Sequence, residues 1–241
     1  MVEQMLADVD PAIASDSPPK AIIAPHAGYI YSGPVAASAY ASLRQASSVI
    51  SRVVLLGPAH RVPVHGLALP ASDAFATPLG KIEIDREAVE QIRGLPQVRV
   101  FDDAHTLEHS LEVHLPFLQS VLADFQLVPL VVGDASAEEV AEVLERLWGG
   151  PETLIVISSD LSHYHDYQTA RQMDSATSLA IEHLAYDDIH FDQACGRTPV
   201  SGLLLQARKR GLKGKTIDLR NSGDTAGPRN QVVGYGAYVF H

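Results

Sequence analysis

Cysteine occurs once in 241 residues, at Cys195, which excludes an intramolecular disulfide framework and suits a reducing compartment. Cations are scarce. The 18 Lys+Arg stand against 29 Asp+Glu, a net charge of −11. This balance argues against a general nucleic-acid or anionic-membrane binder, because neutralising phosphate needs clustered cations. No run approaches the roughly 20 apolar residues of a membrane helix. The N-terminal MVEQMLADVDPAIASDSPPK is acidic and broken by prolines, without a basic-then-apolar targeting pattern. These absences together point to the cytoplasm. There is no repeat of fixed period and no low-complexity boundary, so 1–241 is expected to form a single domain with 1–20 as an acidic leading segment. Two catalytic frames are also missing. The G-x-S-x-G elbow of serine hydrolases is absent, and no two histidines four apart form an H-E-x-x-H zinc helix.

With 46% hydrophobic and 20% charged residues, the composition fits a globular protein with a full core. Short apolar runs at 21–24, 53–56, 127–132 and 154–157 read as strands buried on both faces. The glycine-bearing VGYGAYVF at 233–240 reads as an edge or antiparallel strand. Helical patterns lie between them, at 35–46, 84–95, 110–123, 136–148, 167–185 and 199–211. Asp85 and the SAEE opening at 136 are start signals, and a basic turn before Gly211 is a stop signal. Proline-rich 61–85 reads as a small hairpin or a loop. Alternating strands and helices predict an α/β fold with a central mixed, mostly parallel sheet flanked by helices.

Four of these strands end in polar turns. An open α/β sheet gathers its ligand site at the carboxyl ends of its strands, so residues distant in sequence can meet there. His26 follows AIIAP and His60 follows VVLLGPA, with a crossover helix between them. A right-handed β-α-β unit puts both turns on one sheet edge, where two neutral imidazoles form a plausible metal pair. The third turn, SSDLSHYHD, offers Asp160 as an orienting carboxylate and His163 as a general acid/base. Either Asp160 or Ser162 would equally serve as a helix cap. In EHSLEVHLPF, His114 borders a leucine stripe and reads as a packed core residue. Glu108 and His109 sit in a first turn that can face a site, with Glu112 four residues on. A lone cysteine is more often a small buried apolar group. In CGRTP, however, Cys195 is also a candidate ligand or nucleophile, and Arg197 either lowers its pKa or binds an anionic ligand. Tyr29 and Tyr31 flank the first histidine turn, either lining an aromatic pocket or packing at the strand–helix junction.

Taken together, PHAGYIYSG, LLGPAH, EHSLEVHLPF, LVPLVVG, VISSDLSH and CGRTPV, in this order, resemble the Memo family (Memo-like proteins, including AmmeMemoRadiSam system protein B). VGYGAYVF looks like the family's closing strand. The resemblance implies a fold similar to class III extradiol dioxygenases. It implies a metal held by His26, His60 and Cys195, with His163 and Asp160 as the catalytic pair. Tyr29, His109, Glu112 and Arg197 would then face substrate. Fe(II) is the metal implied first, then copper or zinc, since a thiolate in place of the usual carboxylate favours softer ions. The implied activity is a metal-dependent oxidoreductase. Its alternatives are a metal- or peptide-binding module and a metal-dependent hydrolase, and the ligand is a small molecule or a peptide. Against the family pattern, this sequence lacks an early small-residue–aromatic–Tyr segment, so a strand or pocket wall is expected to be missing.

Overall fold

The computed structural model describes residues 1–11 and 17–241. Part of the acidic leading segment, 12–16, therefore lies outside the described residues. The rest of that segment includes a helix, α1 (Val2–Ala7), which buries Val2 and Leu6.

The strands are β1 (Ala21–Ala24), β2 (Arg52–Pro58), β3 (Leu67–Leu69), β4 (Ala74–Thr77), β5 (Gly80–Glu83), β6 (Val98–Val100), β7 (Gln126–Val132), β8 (Thr153–Ser158), β9 (His163–His165), β10 (Gly214–Asn221) and β11 (Val232–Phe240). Among the described residues, all but β4 and β5 form one nine-stranded sheet, in the order β10-β11-β1-β8-β2-β7-β3-β6, with β9 also pairing β11. The centre, β1-β8-β2-β7, is parallel. Its residues are buried nearly throughout, which is why their sequences run apolar without alternation. The antiparallel pairs lie outside that centre, so the sheet is mixed.

β11 is antiparallel but not an edge, because it lies between β10 and β1. The edge on this side is β10, whose side chains are mostly half-buried rather than alternating. Segment 61–85 holds a true hairpin, β4–β5, and Thr77 ties it by a 2.5 Å hydrogen bond to Gln119.

Among the described residues, seven further α-helices follow α1: α2 (Tyr29–Ala41), α3 (Arg86–Ile92), α4 (Asp103–Thr106), α5 (Leu115–Val121), α6 (Ala137–Leu147), α7 (Tyr167–Glu182) and α8 (Arg197–Arg210). Asp85 caps α3 through the Ala88 amide, and Ser136 with Glu139 closes a reciprocal capping box on α6. Gly211 stops α8 in the left-handed conformation that glycine adopts without cost. Helix α2 begins well before the alanine-rich run that predicted it, and Pro34 is accommodated inside it.

Asp174 on α7 illustrates how tightly helices and sheet meet. A Cβ on Gly234 of β11 would lie 2.1 Å from its carboxylate. Burial raises the Asp174 carboxyl from 3.8 to about 6, against the hydrogen bond it accepts from the Ser162 amide at 3.0 Å. A folded pKa above the unfolded one contributes stability that is complete below the unfolded value and lost as pH rises through the folded value. Asp174→Asn keeps an acceptor for Ser162 and removes the charge. It is expected to stabilise the protein by about 2–3 kcal/mol at pH ~8 and by almost nothing at pH ~3.5. Thermal unfolding at the two pH values checks this, and an equal gain at both would contradict it.

Candidate metal centre

The carboxyl ends of β1, β2 and β8 carry the turns that contain His26, His60 and Asp160. β1 pairs with β8, and β8 with β2, so the three turns emerge side by side. A fourth turn, at 107–111, arches over the end of β2. There the Ser110 hydroxyl donates to the Pro58 carbonyl at 2.9 Å. Gly57 allows this approach, since a Cβ there would meet Ser110 Oγ at 2.8 Å.

Three imidazoles converge at this edge. The ring centroids of His26 and His60 are 5.2 Å apart, those of His26 and His109 5.5 Å, and those of His60 and His109 5.0 Å. One ligand atom from each lies within 4.8 Å of the other two, a spacing that could hold a metal ion.

The partners of these rings decide their tautomers. Ser158 Oγ donates its only proton to the Ser110 carbonyl at 2.6 Å, so at 2.6 Å from His26 Nδ1 it accepts the Nδ1 proton. His60 Nδ1 lies 2.8 Å from Glu108 Oε1, a carboxylate that can only accept. In the neutral form of either ring this leaves Nε2 as a bare lone pair. This is the arrangement by which metal-binding histidines are oriented, with the second nitrogen held by a carboxylate or other acceptor. Burial, and then the neighbouring His60 and His109, push the His26 pKa well below its ordinary value, so its ring is neutral. The donor set therefore fits a transition-metal ion.

Glu108 organises this edge. Its carboxylate accepts from the His60 amide at 2.6 Å, and from the His109 and Ser110 amides at 3.0 Å each, besides His60 Nδ1. Burial alone would raise its pKa, but the His60 and Ser110 hydrogen bonds outweigh this and bring it to about 2. The first-turn position of Glu108 was visible in the sequence, but its role as the hub was not. Ser158 was likewise only one polar residue among several in its turn.

Cys195 lies in the loop before α8, where its Sγ is 3.5 Å from His26 Nε2 and accepts the Asp160 amide at 3.3 Å. Gly196 permits this depth, because a Cβ there would approach the Ser158 carbonyl to 2.4 Å. The thiol pKa is pushed up to about 12, first by burial and then by Asp160. The reading in which Arg197 lowers this pKa is therefore corrected. Arg197 sits at the start of α8 with its side chain exposed, and burial and Asp160 govern the thiol.

Asp160 is buried. Its Oδ1 accepts the His26 amide at 2.8 Å and the Ala27 amide at 3.3 Å, and its Oδ2 lies 3.9 Å from His26 Nε2. Burial raises its pKa against those hydrogen bonds. His163 is on β9, paired with Val233 of β11. It is near enough to influence both Asp160 and His26 electrostatically, but no hydrogen bond joins it to Asp160. The residue after it, Tyr164, is 71% exposed and held at φ 61°, a left-handed conformation unusual for an aromatic residue.

The remaining expected site residues divide. His109 joins the imidazole cluster. Tyr29 opens α2, donates to the Val113 carbonyl at 3.0 Å, and shares a cavity of about 390 Å³ with Glu112. Arg197 lines a different cavity, of about 400 Å³, whose wall includes Cys195. His114 is fully buried with Nδ1 2.8 Å from the Tyr40 hydroxyl, as expected of a packed residue.

Relatives and structural neighbours can be set beside this geometry. The chain is 38% identical over 233 residues to a MEMO1 family protein of Aquifex aeolicus (92% of this chain, 86% of the relative). It is 39% identical over 238 residues to one of Aeropyrum pernix (90% and 82%). In fold it is similar to the uncharacterized protein JW3007 of Escherichia coli K12, with TM-score 0.56 and 14% identity over 91% of this chain and 98% of that one. The sequence model of the Memo-like protein family matches residues 1–239. The chain thus belongs to the Memo family.

Proposed function

We propose that this Memo-family protein is a metal-dependent oxidoreductase with a pocket of the extradiol-dioxygenase type. His26, His60 and Cys195 would hold the metal, Fe(II) in first place and copper or zinc as alternatives. The observation that carries this reading is the pair of Nε2 lone pairs, oriented through Ser158 and Glu108, with the Cys195 sulfur 3.5 Å from that of His26. Such an ion, when bound, supplies a site where a substrate and dioxygen can be brought together.

The chain's own residues supply the rest. Ser158 and Glu108 keep the two imidazoles in the ligating tautomer. Asp160 holds the His26 turn through two amides. His163, the general acid/base, moves protons to and from the bound substrate. The unpaired cysteine and acidic composition support a cytoplasmic protein that does not bind nucleic acid.

Oxygen uptake by the anaerobically prepared, Fe(II)-loaded protein, measured with a panel of catechols, tests the reading. Consumption is expected with at least one catechol, and His163→Ala is expected to slow it by about 10²-fold or more. No turnover with Fe(II) intact would leave a metal- or peptide-binding module in its place.

A further inference from the structure

Two cavities meet at Arg197. The larger, of about 400 Å³, includes Cys195 and is walled mainly by apolar side chains such as Val62, Pro63, Val132 and Phe191. The other, of about 280 Å³, is polar, with Ser136, Tyr186, His190 and Ser201 among its residues. Ala135, Arg197 and Thr198 belong to both. Phe191 is 85% exposed, an apolar ring with almost no cover. Among the described residues, neither the Arg197 guanidinium nor the Thr198 hydroxyl has a hydrogen-bond or ion-pair partner. Arg197 also opens the 14-residue helix α8, whose N-terminal dipole adds to its positive charge. Of the other charged groups, Asp134 and His65 pair at 3.7 Å out in solvent, while Glu138 and Asp187 line the polar cavity. An anion is therefore favoured at the junction and disfavoured farther along the polar arm.

We propose that this trench binds an amphipathic monoanion. An aromatic ring or short apolar chain would lie against Phe191 and Val62, and one carboxylate would engage Arg197 and the Thr198 hydroxyl. Calling that ligand a substrate rests on the metal-dependent reading above. The binding itself does not, because the trench needs no metal to form its contacts. A cavity of this volume accommodates a molecule of roughly ten to twelve heavy atoms.

The test uses the full-length, chelator-treated protein, with 3-phenylpropionate as the probe and neutral 3-phenylpropionamide as its matched control, in ligand-observed NMR titrations. The acid is expected to bind three- to tenfold more tightly than the amide, the range for a partly solvated guanidinium–carboxylate pair. Arg197→Gln should abolish that preference, and Arg197→Lys should retain part of it. Circular dichroism of each variant confirms folding. His26→Ala should leave the preference intact. Equal binding of acid and amide, or a preference that survives Arg197→Gln, overturns the proposal. So does acid binding that appears only after metal is restored, since the carboxylate would then be ligating the ion. That last outcome would leave the metal centre standing, so the two readings fail separately.

Discussion

Replacing Glu108 by alanine is expected to destabilise the metal-free protein by about 3–5 kcal/mol. The buried carboxylate satisfies three backbone amides, those of His60, His109 and Ser110, together with the His60 ring. Alanine removes all of these acceptors at once. The Ser110 amide is buried and would have no water to turn to. The turn at 107–111 would loosen from the end of β2, and His60 would lose the partner that fixes its tautomer. Glutamine preserves the shape and one strong acceptor, so Glu108→Gln should fold with a smaller loss while lowering metal affinity by about 10–100-fold. Chemical denaturation of the metal-free variants and metal titration of the folded ones separate the two effects. A loss below about 1 kcal/mol for the alanine variant would show that solvent replaces the carboxylate, and that Glu108 is not the hub.

The second large effect concerns the ligands themselves. Removing His26 and Cys195 together, in His26→Ala/Cys195→Ala, is expected to reduce bound metal to background. His26 is buried, and its Nε2 lone pair is directed towards the sulfur 3.5 Å away. The thiol is neutral without metal, because burial and Asp160 disfavour the thiolate. A cation placed beside it reverses that balance, since coordination deprotonates a thiol. His109 offers a third imidazole in the same cluster, but among the described residues its only hydrogen-bonding or ionic side-chain partner is Glu108, at a loose 3.5 Å. Its ring is therefore oriented less firmly than the other two, and His109→Ala is expected to retain most of the metal.

Much of this arrangement was legible in the sequence. His26 and His60 each follow an apolar run closed by proline or glycine, a pattern tied directly to the carboxyl edge of a parallel sheet. Cys195 was less legible, because the sequence cannot show that the loop before α8 returns to the end of β8. The local pattern predicted one helix from Ser110 onward. In the structure a short 3₁₀ turn at Glu112–His114 precedes α5, which begins only at Leu115. That delay leaves the backbone amides of 109 and 110 free to bind the Glu108 carboxylate, and it places His109 among the imidazoles. Strand β10 was hidden for a different reason. Its Asp218 and Arg220 are half-buried on a strand packed against α2 and α7, and Asp218 is tied to Ser38 of α2 at 2.8 Å.

The measurement that bears most directly on the metal centre is elemental analysis of anaerobically purified protein beside His26→Ala/Cys195→Ala, with circular dichroism confirming that both are folded. The geometry predicts about one transition-metal ion per chain in the unaltered protein, as one three-ligand site would hold, and background levels in the variant. Equal metal content in the two would place the ion elsewhere and contradict the assignment.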